Sequence, residues 1–326
     1  MTFAISTEGL GRKFGEQWAI RDLDLHITRG EVFGLLGPNG AGKTTTMRLL
    51  AALIAPTAGR AAVCGYDIVN DPNEVRARVG ILTEAPGLYG NRSAQQNLEL
   101  YARLYGLKPP YSGQQIERYL KLLGLWAQRH EPAGILSKGM KQKLSMVRAL
   151  LHEPPVVILD EPTSALDAEG AKLVRDFIAS LKGQGRTILL CTHNLFEAQL
   201  LCDRVAIVVG TLLRVGTPRE LQLSLYSRQI EVCIASAPQA MSELAARIGS
   251  MPGVGDVEVD GNRFLISMVD ADEGTPHLVD MLVAAGAKIL RVAEVEHSLE
   301  KAYLDLLAHR NRALAGERSQ VEEAVA

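Results

Sequence analysis

The chain has 326 residues, room for one large domain and a smaller companion, and its 47% apolar and 22% charged composition excludes a disordered, collagen-like or coiled-coil protein. A net charge of −2 gives no basic field to draw in nucleic acid. It hides an asymmetry, because residues 1–225 carry 26 Lys/Arg against 21 Asp/Glu and residues 226–326 carry 9 against 16, which argues for two units, the second too acidic to grip a phosphate backbone.

Along the chain, residues 19–27 alternate apolar and polar side chains as an antiparallel strand does. Residues 31–36 read as a short apolar strand that runs into a glycine-rich loop, and Thr46 to Ile54 as a helix stopped by Pro56. From about 84 to 150 apolar residues recur at helical spacing (Leu98, Tyr101, Ala102, Tyr105; Ile116, Tyr119, Leu120, Leu123), the mark of an inserted helical region. Buried-strand patterns return at 156–159 and 187–191, each followed by a helix, and a further strand at 205–209 turns at Gly210. Near 225 the pattern restarts. Strands at 229–235, 254–259, 263–269 and 289–295 and helices at 239–248, 277–285 and 298–307 follow the order of a small split-βαβ, ferredoxin-like α+β domain. The expected division is 1–225, 226–308 and a loose polar tail, 309–326.

Four cysteines (Cys64, Cys191, Cys202, Cys233) are scattered without a Cys-x-x-Cys pair, as expected of reduced, buried thiols rather than a secreted framework or a zinc site. Cys64 and Trp126 read as core and His130 as surface. No signal-peptide pattern opens the sequence, and no apolar run approaches the roughly 20 residues a membrane span needs. The expectation is a cytoplasmic chain that does not cross a membrane by itself.

Two motifs carry chemistry. Gly37, Pro38, Asn39, Gly40, Ala41, Gly42, Lys43 and Thr44, followed by Thr45, match G-x-x-x-x-G-K-[ST]. Glycines there let backbone N–H groups converge on phosphate oxygens, Lys43 reaches the outer phosphates, the Thr44 hydroxyl suits Mg²⁺, and the following helix N-terminus attracts the anion. The second is an apolar strand ending in Asp160 and Glu161. Two acids at such a tip suit a cation and a polarised water, Asp160 holding Mg²⁺ and Glu161 activating the water. The competing reading makes them an exposed helix start, since Glu161-Pro162-Thr163-Ser164 also fits one.

Further motifs surround these in a fixed order. Leu136-Ser137-Lys138-Gly139-Met140 lies 23 residues before Asp160, Ser164-Ala165-Leu166-Asp167 follows the acids, and Thr192-His193 ends the next strand. Over about residues 3–222 this succession resembles the ATP-binding subunit of an ABC transporter. The resemblance implies an α/β phosphate-loop NTPase fold of mostly parallel sheet, with an antiparallel β subdomain and an inserted helical one. It implies ATP and Mg²⁺ as ligands and ATP hydrolysis as the activity. Ser137 and Gly139 would clamp the γ-phosphate of ATP bound to a second copy in a head-to-tail homodimer, with Asp167 shaping the seam. His193 would contact that phosphate and the attacking water, and Phe14 would stack on adenine. Taken alone, His193 is more often a strand-end histidine with no role and Phe14 more often a core residue.

Two positions depart from the family pattern. Lys138 and Met140 replace residues of the usual L-S-G-G-Q, and Glu84 stands where a glutamine is usual, still able to ligand Mg²⁺ but adding negative charge beside ATP. Both variants resemble a subclass that powers small-molecule export through a separate membrane-spanning permease, holding the ATPase peripherally at the inner membrane face. Glu296 to Leu304 is loosely similar to an element near the C-terminus of such exporter ATPases and equally fits an amphipathic helix capped by Ser298. The alternative function is a soluble ATPase of the same fold acting on ribosomes or DNA. Those relatives usually carry two cassettes per chain or long coiled coils, and this sequence has one cassette, no heptads and an acidic appendage.

Overall fold

The computed structural model describes residues 3–223, 228–235, 238–295 and 299–307 without 302 and 305. The boundary expected at 225/226, the Ser298 cap and the tail from 309 lie outside the described residues. Contacts divide the chain into two compact units, 1–218 and 219–326.

In the first unit β1 (Phe3–Phe14) and β2 (Gln17–Thr28) form an antiparallel hairpin. Then come β3 (Val32–Leu36), α1 (Lys43–Leu50), β4 (Ala58–Val63), β5 (Tyr66–Asp67), α2 (Pro72–Arg78) and β6 (Val79–Leu82). Helices α3 (Ala94–Leu104), α4 (Tyr111–Leu122) and α5 (Lys138–Leu150) follow, with a 3₁₀ turn at Ala133–Ile135. β7 (Val156–Asp160), α6 (Ala168–Gly183), β8 (Thr187–Thr192), α7 (Leu195–Leu201), β9 (Arg204–Val208) and β10 (Leu212–Gly216) complete it. One sheet is antiparallel with order β2-β1-β4-β5. The other has order β10-β9-β3-β8-β7-β6, parallel except at β10. Every residue of β3, β7 and β8 is buried, which is why these strands read as continuous apolar runs. One core joins both sheets, from Ile5, Leu23 and Ile27 through Phe33 and Met47 to Ile158 and Leu189.

Several boundaries differ from the sequence pattern. The helix expected over 46–54 is α1, which begins three residues earlier, at the loop, and ends at Leu50. Ala52 turns it off in a left-handed conformation (φ 51°), with Ala52 N–H bonded to Leu49 O and Leu53 N–H to Arg48 O, each at 2.9 Å. This is a Schellman closure with alanine in the place glycine usually takes. The short elements β4, β5, α2 and β10 were not anticipated. The inserted helical region materialises as α3 to α5, and the second half of α5 lies against β6, where a Cβ on Gly80 would come within 2.2 Å of Ala149 O. Trp126 is half-buried rather than core, with Arg129 4.3 Å and Lys121 5.3 Å from its ring centre. Cys64 and Cys233 are likewise half-buried, whereas Cys191 and Cys202 are buried, and all four are unpaired. Among the described residues no helix is long and apolar enough to cross a membrane.

Helix α8 (Pro218–Leu223) marks the division. The second unit contains β11 (Arg228–Ile234), α9 (Pro238–Gly249), β12 (Val254–Asp260), β13 (Arg263–Met268), α10 (Ala271–Ala284) and β14 (Ile289–Glu294). Its sheet runs β12-β13-β11-β14, all antiparallel, the split-βαβ order. Val232, Phe264, Ile266, Leu278 and Leu282 form its separate core. α10 starts six residues before the expected 277 because Asp270 caps it, accepting from the N–H groups of Asp272 and Glu273 at 2.9 and 3.2 Å.

Candidate functional site

The carboxyl ends of β3, β7 and β8 meet in a cavity of about 730 Å³. It is lined by Pro38 through Thr45 of the glycine loop, by Asp160, Glu161 and His193, by Phe14, and by Glu84. Ligands gather at this edge of an open parallel sheet because the helices that follow the strands aim their N-termini there.

The glycine loop is shaped by close approaches. A Cβ on Gly37 would lie 2.3 Å from Val208 O, and one on Gly42 2.4 Å from Ala19 O. Gly42 is also left-handed (φ 99°) and caps α1 without a side-chain bond, and no acid stands in the first turn. The first N–H groups of α1 therefore remain for an anion. Gly37 itself stays behind the cavity wall; its carbonyl accepts from Lys43 Nζ at 2.5 Å, as Pro38 O does at 3.0 Å. Lys43 is buried, and these two carbonyls occupy its ammonium where phosphate oxygens would replace them.

Asp160 ends β7 and is buried, with Thr44 Oγ1 3.4 Å from its Oδ2. Burial, and secondarily the neighbouring Glu161, pushes its pKa up, while Thr44 and Lys43 pull the other way. A buried carboxylate burdened by its own charge beside a hydroxyl fits a hard divalent cation. Among the described residues no three His, Cys, Asp or Glu side chains form an ion cage, so Mg²⁺ held by Thr44 and Asp160 would complete its shell with water and phosphate oxygens, as that ion prefers. Glu84 is exposed on the same cavity, and its charge also raises the Asp160 pKa.

Glu161 is the residue held most firmly. Its backbone is left-handed (φ 46°), a conformation that costs a side-chain-bearing residue about 1–3 kcal/mol. Its N–H donates to Cys191 O at 2.8 Å. One carboxylate oxygen accepts from His193 N–H at 2.9 Å and sits 2.7 Å from His193 Nδ1; the other accepts from Thr192 Oγ1 at 3.2 Å. The strand-end histidine and the acid thus form one unit. Sequence reasoning did not anticipate that the Glu161 carbonyl accepts from Gln142 Nε2 at 2.6 Å and from Ser164 Oγ at 3.1 Å. It also missed Lys138, Gln142 and Ser145 of α5 and Ser164 as cavity-lining residues. α5 grips the segment beyond Glu84 as well, since Ser145 Oγ and Arg148 donate to Pro86 O at 3.0 and 2.7 Å.

Ser137 and Gly139 do not line the cavity of their own chain. Ser137 caps α5, its Oγ accepting from Met140 N–H at 3.2 Å. Gly139 lies against the 164–167 loop, where a Cβ would be 2.8 Å from Leu166 Cδ2 and 3.0 Å from Ala165 O. Asp167 caps α6, accepting from Gly170 N–H at 2.8 Å. Phe14 is 49% exposed, with Arg12 4.9 Å from its ring centre.

Comparison with known proteins shows the family. Residues 20–164 match the family model described as ABC transporter. The daunorubicin resistance ATP-binding protein DrrA3 of Streptomyces coeruleorubidus is 36% identical over 312 residues, covering 95% of this chain and 97% of that protein. The ABC transporter ATP-binding protein NatA of Bacillus subtilis is 42% identical over 191 residues, 58% of this chain and 78% of that one. Among solved structures, an ATP-binding subunit of an ABC transporter superposes with a TM-score of 0.64 at 31% identity, covering 69% of this chain and 93% of the other. A dimeric ATP-binding cassette in a post-hydrolysis state with ADP and Pi shares the fold, with a TM-score of 0.61 at 24% identity and coverage of 65% and 98%. Site and similarity lead to one conclusion, that the chain belongs to the ATP-binding proteins of ABC transporters and is an ATPase.

Proposed function

We propose that the chain is the ATP-hydrolysing subunit of an exporter, bound peripherally on the cytoplasmic side of the membrane to a separate membrane-spanning permease, and that it does not act on nucleic acid. One observation carries the reading. Lys43, Thr44, Asp160, Glu161 and His193 share a single cavity, while Ser137 and Gly139 of the same chain stand outside it. A phosphate site of this kind is completed by a second copy, head to tail, whose Ser137 hydroxyl and α5 N-terminus approach the γ-phosphate. Export rather than import is supported by relatives whose names attach them to drug resistance and to Nod factor export.

The chain's own groups divide the chemistry as follows. The α1 N-terminus and Lys43 hold the phosphates, and Phe14 offers a ring for the base. Mg²⁺, held by Thr44 and Asp160, would neutralise phosphate charge. Glu161 accepts a proton from water as the water oxygen bonds to the γ-phosphorus, and the bond from that phosphorus to the bridging oxygen breaks, leaving ADP and phosphate. His193 keeps the Glu161 carboxylate aimed and stands at the departing phosphate. Closure of the two copies around ATP, and reopening after hydrolysis, would drive the permease.

The test is affinity isolation of the Glu161→Gln protein with ATP and Mg²⁺ from detergent-solubilised membranes of its own cell. The expected result is a dimer by light scattering with a stoichiometric multi-helix membrane protein. Recovery of ribosomal or nucleic-acid-bound partners alone would replace the exporter reading with the soluble one.

A further inference from the structure

A left-handed backbone on a residue with a Cβ persists only where its surroundings hold it there. At Glu161 most of the restraints are local to the strand ends, coming from Cys191 O, Ser164 Oγ, Thr192 Oγ1 and His193. The shortest of the three bonds to its carbonyl, 2.6 Å, comes from elsewhere, from Gln142 on α5, the other two being from Ser164 N–H and Oγ at 3.2 and 3.1 Å. α5 is also the helix that begins at the Ser137 cap, packs at Gly139 on the 164–167 loop, and grips Pro86 through Ser145 and Arg148.

We infer that Gln142 is a positioning residue for hydrolysis, fixing the Glu161 carbonyl, and with it the direction in which the catalytic carboxylate leaves the backbone, from the helix that carries Ser137. The direction of the Glu161 side chain follows from its φ and ψ, and these are set by where its N–H and carbonyl are anchored. Ser164 lies only three residues from Glu161, in the same turn, and moves with it. Gln142 does not, because it stands on a separate rigid rod. Five residues along that rod span about 7.5 Å, so a displacement of the Ser137 end reaches the Glu161 carbonyl without attenuation by a loop. Gln142 lines the cavity, and its side-chain amide is committed there to the Glu161 carbonyl. Its role rests on the assignment of Glu161 as the water-activating carboxylate.

The experiment compares Gln142→Met and Gln142→Glu with the parent chain and with Glu161→Gln, reading steady-state ATPase and the affinity for a fluorescent ATP analogue with Mg²⁺. Methionine keeps the length and stem of the side chain and removes the N–H donor. The expected result is a kcat lowered about tenfold or more, the worth of one well-made hydrogen bond, with KM and nucleotide affinity within about twofold. Glutamate turns an acceptor toward the carbonyl. Its activity should be lower still at pH 8 and recover relative to the parent as the pH falls and the new carboxyl protonates into a donor. A parent-like kcat in Gln142→Met overturns the inference, as does an equal loss of binding and turnover, which would make Gln142 a structural residue. If Glu161→Gln is inactive while Gln142→Met is not, only the positioning role fails. If Glu161→Gln turns over normally, the assignment of Glu161 fails and the inference with it.

Discussion

At Asp160 the strand tip carries a conflict that ligand binding resolves. Burial and the charge of Glu161 raise its pKa, so between the usual carboxylate range and the raised value the folded chain holds more proton than the unfolded one. Stability therefore falls as pH rises through that window, and at neutral pH the buried charge is a burden on the nucleotide-free protein. Asp160→Asn should raise the apparent Tm of the nucleotide-free chain by about 2–4 °C and abolish the further rise produced by ATP with Mg²⁺. Thermal scans with and without nucleotide check both; a variant less stable without nucleotide contradicts the account. That Lys43, Thr44, Asp160 and Glu161 would share one cavity was legible in the sequence because each stands at a fixed offset from a glycine or a strand end. Gln142 was not, because its partner is a backbone carbonyl 19 residues onward and no side-chain pattern announces it. The left-handed turn at Glu161 was equally hidden, since no glycine marks it.

Among the elements, the least visible in sequence were those closed by unusual residues or built from short ladders. Ala52 ends α1 without the glycine that signals such a stop, and the two residues of β5 carry no periodicity. The long apolar strands were legible because burial on both faces leaves no polar interruption. Where the inserted helices meet the strand connection, His152 stacks on Tyr105, the C-cap of α3, with ring centroids 4.1 Å apart. Burial lowers the His152 pKa to about 4, against a weaker pull in the other direction from the Val79 main chain. Neither ring nitrogen has a hydrogen-bond partner of good geometry. The unfolded chain thus takes up a proton that the folded one refuses, and stability drains as pH falls from about 6.5 toward 4. Denaturant melts across that range should show His152→Phe losing less stability on acidification than the parent, with little change at pH 8. Parallel pH profiles for the two proteins would exclude this histidine as the source.

On the scale of the whole molecule, the change of charge near residue 225 led to the expectation of two units, and the contacts divide the chain at 218/219 into one unit with two sheets and one with a single sheet, each with its own core. The strand order of the second was legible because its alternation and turn residues are local. Calorimetry of the full chain should resolve two transitions, of which only the one belonging to residues 1–218 moves upward with ATP and Mg²⁺. A single transition shifting as a whole would mean that the units unfold as one.

With Phe14 in its proposed role as the ring for the base, its pairing with Arg12 has a consequence for the fuel itself. A ring backed by a guanidinium offers one open face, and a face senses the area of a base rather than the hydrogen-bond pattern along its edge. A site of this design measures the length of the phosphate chain finely and the identity of the letter attached to it coarsely.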